Sequence, residues 1–597
     1  MWPVCMTASI GCLLLAPMLV LIVNRRRKDQ NRKLGLFNVL FVGMFAAAFF
    51  MFLPAHLVYT GTAKLGKVSA VLLSLYKSMQ VFTIGSEYDV VKVCIVGFCP
   101  AWLEAWYLTW AAAVFVLAPI FTFGFVLSLF KNLSANVKLS LSFFKDTYVF
   151  SELNEKSIVL AKSIKDRDGR VSIVFADVIE DNEENTNDLI ARAGQLGAIC
   201  FKKDILAVDL SRHSKKSILA LFAIGKNEAE NLNQSLKLIE QYRHRADTHL
   251  YVFSKKIESE LLLTAVDKGQ MKVRRINEVQ SLINRILYED GAIIFDGAGV
   301  QDDGTKKISA IIVGMGNHGT EMLKALAWYG QMDGYQLEIN AFDKDPMAEE
   351  RFNAAAPELM SPVYNGARVE GEAQYRITIH SGMDADSLSF GKEIEKISDA
   401  TYVIVALGND DVNINTAVRL RMYFERMRIH PVIQAIVYNT QQKKALEGIQ
   451  NYRGQKYDID FIGDLESSFA ESVIVGSELE EEALQRHLKW GKEDEFWTYE
   501  YNYRSSVASA IHMRARIYCG IPGADKNEND LTEEEKPRIE ALEHRRWNAY
   551  MRAEGYIFSG SKEKSSRNDL AKMHHDLVDY ASLHDDEKRK DSKVGTR

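Results

Sequence analysis

Three long apolar runs ahead of residue 131 constrain this chain more than any other feature. They are Trp2 to Val23, Leu36 to Tyr59 and Ala101 to Phe130, and each reaches the roughly 20 apolar residues that a helix needs to cross a bilayer. The first run has no basic flank before it. Its basic cluster follows instead, so it is expected to be a retained helix rather than a signal peptide. Arg25, Arg26, Arg27, Lys28, Arg32 and Lys33 lie between the first and second runs, and basic loops stay on the cytoplasmic side. That orientation puts the N-terminus and residues 60–100 outside and everything after Lys131 in the cytoplasm. The expected location is the cell (inner) membrane, as a multi-pass protein in contact with lipid.

The average composition hides this division. Over 597 residues the chain is 47% hydrophobic and 25% charged, with a net charge of −6. Residues 1 to about 131 are apolar and sparsely charged, whereas the remainder alternates short apolar runs with charged helical stretches, as soluble α/β domains do. The mild negative charge argues against a nucleic-acid partner, which would call for a basic face. Cys5, Cys12, Cys200 and Cys519 have no metal-ligand spacing, and no metal site is expected. Cys94 and Cys99 fall in the outer segment, where a disulfide and two free thiols are both open.

That outer segment has a pattern of its own. VSAVLLSLYKSMQVF (Val68 to Phe82) reads as one amphipathic helix too short to span, and the polar stretch QVFTIGSEYD (Gln80 to Asp89) overlaps its end. A half-length helix and an irregular stretch between two spanning helices point to a re-entrant loop, because irregular backbone at membrane depth survives only where protein buries it or water lines it. The layout resembles the pore unit of potassium channels, with one extra helix ahead of it. The filter of those channels is a Thr-Val-Gly-Tyr-Gly loop whose carbonyls replace the hydration shell of the ion.

Thr83, Ile84 and Gly85 match its first three positions. Ser86 and Glu87 stand where Tyr and Gly would be, and Tyr88 and Asp89 follow as if displaced. Glu87 replaces a glycine whose backbone shape other residues adopt at a cost, so full potassium selectivity does not follow. Glu87 and Asp89 offer carboxylate rings as another way to select cations. The resemblance implies a monovalent cation in a pore lined by these residues; the plainer alternative is an outer loop that caps the helices. In the third run Pro119 removes a backbone hydrogen bond and Gly124 adds freedom, which places a gate hinge there.

After Lys145 strands and helices alternate, the signature of a parallel, doubly wound sheet. DTYVFSELNEKSIVLAKSI gives a strand, a polar turn and a helix, followed by the strands VSIVFADV and HLYVFS. The turn Ser151-Glu152-Leu153-Asn154 has no glycine, and Glu152 would repel a pyrophosphate. The pattern repeats from Ile308 as a strand, then Gly314-x-Gly316-x-x-Gly319, then a helix, and the next strand ends in Asp343. Such glycines let backbone approach a pyrophosphate at a helix N-terminus, and the acid reaches a ribose hydroxyl. The second copy is therefore expected to bind a nucleotide through Gly314, Gly316, Gly319 and Asp343.

Both copies resemble RCK domains, the modules that regulate potassium conductance, most closely in LFAIGKNEAENLNQSLKLIEQ and VALGNDDVNINTAVRLRMYF. The resemblance implies tandem domains assembled as a ring in a homo-oligomer, a tetramer, with ligand-driven shifts pulling on the inner helix. Near the C-terminus, Leu542, Trp547, Tyr550 and Met551 form an apolar helical stripe with Glu543, His544 and Arg546 off it. His544, His574 and His575 are expected to be packing or exposed histidines. Glu543-His544-x-x-Trp547, Glu554-Gly555-Tyr556, His575-Asp576-Leu577-x-x-Tyr580 and Glu587-Lys588-x-x-Asp591 together resemble the ryanodine-receptor repeat domain. Prokaryotic chains that pair this domain with RCK-like units are regarded as nucleotide-signal sensors. On that resemblance Trp547 would stack a base, and Arg546 or Arg552 would meet a phosphate.

The expected fold is an α-helical membrane domain of three transmembrane helices plus a re-entrant pore loop (1–135). Two α/β Rossmann-like domains (146–295, 306–455), a connecting helical region (456–525) and a small, mainly α, C-terminal domain (530–597) follow. With no nucleophile motif, HExxH or P-loop, the chain is not expected to be an enzyme. The expected function is a ligand-gated, potassium-like cation channel controlled by a nucleotide of NAD, ADP-ribose or cyclic-nucleotide type. The alternative is a membrane-anchored nucleotide sensor or antiviral effector with no selective pore.

Overall fold

A continuous apolar segment can satisfy its own backbone only by internal hydrogen bonding, and the apolar runs of this chain are helical. The computed structural model describes residues 1–26, 36–63, 66–83, 88–178, 184–210, 213–214, 216–361, 363–364, 367–368, 375–449 and 451–597. The chain forms two compact units: Met1–Phe144 with Ala176–Ile179 and Ile199–Ser214, and the remainder from Lys145 to Arg597. In the first unit the long helices are Trp2–Arg26, Leu36–Ala63 and Ala101–Leu141. Among the described residues, Val39–Val58 and Ala101–Ile120 are long and apolar enough to cross a membrane, by length and composition. The N-terminal helix supplies only the shorter apolar stretch Trp2–Leu15.

The Leu36–Ala63 helix packs against the other two long helices, and Met44, Ala48, Met51, Phe52, Tyr107 and Val114 are buried among them. Three polar side chains inside this bundle are paired, as an apolar surrounding favours, whereas the buried His56 Nε2 has no hydrogen-bond partner among the described residues. Trp110 Nε1 donates to Ser9 Oγ (2.8 Å), which donates to the Ala47 carbonyl (2.7 Å), and Tyr107 Oη donates to the Met51 carbonyl (2.5 Å). The expected short amphipathic helix is Lys67–Val81, with Ala70, Ser74, Ser78 and Val81 buried.

The segment after it departs from the expected irregular loop. Tyr88–Ile95 is a helix, because Val91, Cys94 and Ile95 recur at helical spacing and are buried together. Cys94 therefore lies in a helix and not in a loop, and Cys94 and Cys99 are both free thiols. Of the expected filter residues, Ile84, Gly85, Ser86 and Glu87 lie outside the described residues. Thr83 is exposed and donates to the Gln80 carbonyl (3.1 Å). Asp89 is exposed in the first turn of the Tyr88–Ile95 helix, where a negative charge favours the helix dipole. Pro119 and Gly124 sit inside one uninterrupted helix, Ala101–Leu141.

The second unit contains two parallel sheets. In the first, β1 (Thr147–Phe150), β2 (Ser172–Phe175), β3 (Leu219–Ala223), β4 (Thr248–Phe253) and β5 (Lys272–Ile276) run in the order β2-β1-β3-β4-β5. In the second, β6 (Lys306–Val313), β7 (Tyr335–Asp343), β8 (Tyr375–Ser381), β9 (Tyr402–Val405), β10 (Val432–Ile436) and β11 (Ile459–Ile462) run β8-β7-β6-β9-β10-β11. Both sheets are doubly wound and reverse direction beside their first strand, where such folds bind ligands. The second sheet extends past the expected boundary at 455, because β11 pairs with β10 in register Ile433↔Ile459.

The two copies share a device at this reversal. Asn231 and Asn413 are each 1% exposed. Asn231 accepts from Gly225 N (2.8 Å) and donates to the Phe253 carbonyl (2.9 Å). Asn413 accepts from Leu407 N (2.6 Å) and donates to the Ile436 carbonyl (2.8 Å). In each copy one buried amide ties a strand-ending turn to the next strand and pairs backbone groups of both.

Helices Glu478–His487, Glu500–Tyr518, Glu535–Ala553 and Asp585–Gly595 build the C-terminal module. Glu535–Ala553 packs on Asn317–Tyr329 of the second copy on one side and on Asp585–Gly595 on the other. Both of its faces are therefore covered, and Glu543, His544 and Arg546 are buried although they lie off the apolar stripe. Leu323, Leu326 and Trp328 from Asn317–Tyr329 join the same core, each fully buried large side chain contributing about 1.5–3 kcal/mol.

Candidate functional site

The glycine turn of the second copy is built as its spacing implies. Gly314 has φ +97°, and a Cβ there would stand 2.6 Å from the Ala406 carbonyl. A Cβ at Gly319 would overlap the Gly314 carbonyl, so this glycine lets the Asn317–Tyr329 helix lie against the turn. A Cβ at Gly316 would meet nothing within 4 Å. A cleft of about 420 Å³ opens there, lined by Gly316, Thr320, Glu321, Asp343, Asp345 and Arg351 among others, with Lys255 from the first copy. Asp343 is already engaged: Oδ2 accepts from Met315 N (2.6 Å) and Oδ1 from Asp345 N (2.7 Å). Asp345 in turn pairs with Arg351.

The corresponding turn of the first copy is filled by its own side chains. Asn154 caps the Glu155–Arg167 helix and donates to the Ile224 carbonyl (2.9 Å), while Ser151 Oγ accepts from Ile224 N (2.9 Å). Glu152 accepts from Lys226 N (3.1 Å). A carboxylate holds the place at which a phosphate would approach.

A second cavity, of about 330 Å³, lies within the C-terminal module. It brings together residues from segments far apart in the chain: Arg486, Tyr501, Arg546, Trp547, Arg567 and His575 are among those lining it. Trp547 is half-buried, with the His544 ring stacked 5.9 Å away and the edge of His574 at 4.9 Å. Arg567 stands 5.6 Å from the centre of the Tyr501 ring. Arg546 is 1% exposed and donates to Glu543 (2.6 Å), but its Nη1 has no hydrogen-bond partner. Burial would raise the Glu543 carboxyl, yet Arg546 and Arg516 overcome it and hold the group down at about 2.

The three histidines are buried, and burial pushes His574 down to about 2, so its ring stays neutral. His574, His575 and Asp576 stand close enough to hold a metal ion, with ligand atoms within 4.8 Å of one another. His574 Nδ1, however, already accepts from Asp576 N (3.1 Å).

Arg546 and Trp547 thus line one cavity. Arg552 does not join them. It lies outside the cavity lining, 1% exposed, with Glu358 at 3.7 Å, because it is nearly two turns further along the helix and faces the second copy. Sequence reasoning missed Arg486, Tyr501 and Arg567, which come from three separate segments with no shared spacing.

The helix that supplies Tyr501 also carries a buried charge cluster. Arg504 meets Glu554 (2.5 Å) and Glu260 (3.2 Å), and Glu500 meets Arg275 (2.5 Å). Glu260 and Arg275 belong to the first copy, so one helix joins the cavity wall to that sheet. Compared with protein-family models and with curated proteins, the chain matches none.

Proposed function

We propose that this chain is a ligand-gated cation channel of potassium-like type, assembled as a homotetramer and biased open or closed by a cytoplasmic nucleotide-type ligand. What supports the reading is one combination: helices of membrane-crossing length and composition followed by tandem doubly wound sheets with the same buried asparagine device. Residues 142–146 alone separate the Ala101–Leu141 helix from β1, a link short enough to transmit displacement. Ligand occupancy moves the soluble unit between two arrangements, and the inner helix follows. The ligand must bind the two arrangements with different affinity, or it gates nothing. The charge cluster of Arg504, Glu554, Glu260, Glu500 and Arg275 carries the shift from the C-terminal module to the first copy. The RCK-like and ryanodine-receptor-like resemblances fit this role, with Thr83 to Asp89 as the ion path and Pro119 and Gly124 as the hinge.

A second reading has one observation in its favour: Tyr88 and Asp89 begin a helix, not an open filter strand. In that reading the chain is a membrane-anchored nucleotide sensor or effector without a selective pore. Reconstitution in a planar bilayer under potassium/sodium bi-ionic conditions separates the two. Discrete currents with a cation-selective reversal shift are expected. A protein that binds nucleotide in the bilayer yet never conducts overturns the channel.

A further inference from the structure

The inner wall of the C-terminal cavity carries more buried positive charge than its partners neutralise. Glu543 is 2% exposed, and Arg516 and Arg546, each 1% exposed, both pair with it. Arg486, 8% exposed, stands in the same electrostatic group. Among the described residues no carboxylate pairs with it, and it donates to Ser509 Oγ (3.0 Å) and to the carbonyls of Val594 (2.6 Å) and Thr596 (3.1 Å).

The other carboxylates that line the cavity are engaged elsewhere. Asp591 faces His544 (3.2 Å), Glu587 takes Lys564 (3.0 Å) and Lys590 (2.8 Å), and Asp576 faces His575 (3.3 Å). Three guanidinium groups therefore share one carboxylate, and Arg546 Nη1 is the N–H left without a partner. A buried charge needs pairing, and an unmet buried donor costs on the order of 1–3 kcal/mol. A bound anion removes both costs.

The remaining walls define the rest of the ligand. The half-buried Trp547 and the neighbouring Tyr501 offer ring surface, and ring faces stack nucleobases with little regard to their identity. The volume, about 330 Å³, lies near the lower end of small-molecule sites, about 300–1,000 Å³. The glycine cleft is the poorer anion site, because Asp343, Asp345 and Glu321 line it beside Lys255 and Arg351, and Arg351 is already paired with Asp345.

We infer that the C-terminal cavity, and not the glycine cleft, is the ligand site, and that it takes a single nucleotide unit. Its phosphate meets Arg546 Nη1, its base lies against Trp547, and Arg567 closes the rim. This rests on the reading of a nucleotide-type ligand above and assigns that ligand's place and size.

The test is calorimetric titration of the full-length protein in detergent with AMP, GMP, cyclic AMP, NAD and ADP-ribose, beside adenosine and inorganic phosphate. At least one mononucleotide should bind more tightly than adenosine or phosphate alone. Trp547→Ala should weaken that binding about ten-fold or more, the loss of one base stack. Arg567→Ala, at an exposed rim position, should weaken it too without unfolding the protein, and Gly316→Asp should leave it unchanged. The inference is overturned if no nucleotide binds, if phosphate alone accounts for the affinity, if both cavity variants bind as the wild type does, or if Gly316→Asp abolishes binding. Binding is read here without current. A protein that binds but does not conduct fails as a channel and keeps this site; one that conducts and binds nothing does the reverse.

Discussion

The glycine cleft and the C-terminal cavity have similar volumes, about 420 and 330 Å³, and differ in what their walls still offer. The cleft carries the recognisable motif, but its acid spends one oxygen on Met315 N of the glycine turn and the other on Asp345 N after its own strand. The cavity draws lining residues such as Trp547, Asp576 and Asp591 from three of the separated C-terminal blocks, and it holds a buried guanidinium N–H with nothing to donate to. A motif records how closely backbone must pack, whereas an unmet buried donor records that something else belongs there. The first copy makes the same point, since its turn keeps the strand–turn–helix shape and fills the phosphate position with Glu152.

Variants at the two places should separate these roles. The largest effect is expected from Glu543→Gln, which removes the carboxylate that Arg516 and Arg546 both pair with. The cost should be about 3–5 kcal/mol, read as a lower urea midpoint. Added nucleotide should restore more stability to this variant than to the wild type, because the anion deficit has grown. An unchanged midpoint would show that the cluster is neutralised elsewhere.

The same group gives an acid signature. The Glu543 carboxyl sits at about 2 in the fold and at about 4.3 in an unfolded chain, so its folded value is depressed. Its stabilisation, on the order of 3 kcal/mol, is present above the unfolded value and lost as the pH falls towards 2. The Gln variant should lack that part of the wild-type decline in urea midpoint between those two values.

In the cleft, Gly319→Ala should destabilise by about 2 kcal/mol or more, since the added methyl overlaps the Gly314 carbonyl. Thermal unfolding of the full chain checks it, and wild-type stability would mean that the helix can shift away from the turn. The smallest effect belongs to Gly316→Ala. Open space surrounds that position, and the change should stay within about 0.5 kcal/mol. A larger loss would show that the turn is tighter at its centre than at its ends.

Much of the architecture was legible from local signals. The apolar runs, the short helix after residue 66 and both strand–helix alternations follow from periodicity, which neighbours in sequence carry. The stretches that hold Asn231 and Asn413 carry the likeness between the copies, although the hydrogen bonds these side chains make to neighbouring turns and strands are not legible in them. The helix Tyr88–Ile95 was missed because the filter-like letters before it drew the reading toward a loop, while Val91, Cys94 and Ile95 already held helical spacing. Strand β11 was missed because four residues, only partly buried, leave too short a pattern to count.

The sequence by itself determined the division into an apolar and a more polar part, the tandem sheets and two positions at which only glycine fits, Gly314 and Gly319, because each depends on a few consecutive residues. Tertiary structure alone decided that Arg546 and Trp547 meet Arg486, Tyr501 and Arg567 at one cavity, and that Arg552 does not. Spacing along a helix says which side chains share a face, but not which face another element covers. Charge pairing in a buried site depends on groups up to about a hundred residues apart, brought together only when the helices pack.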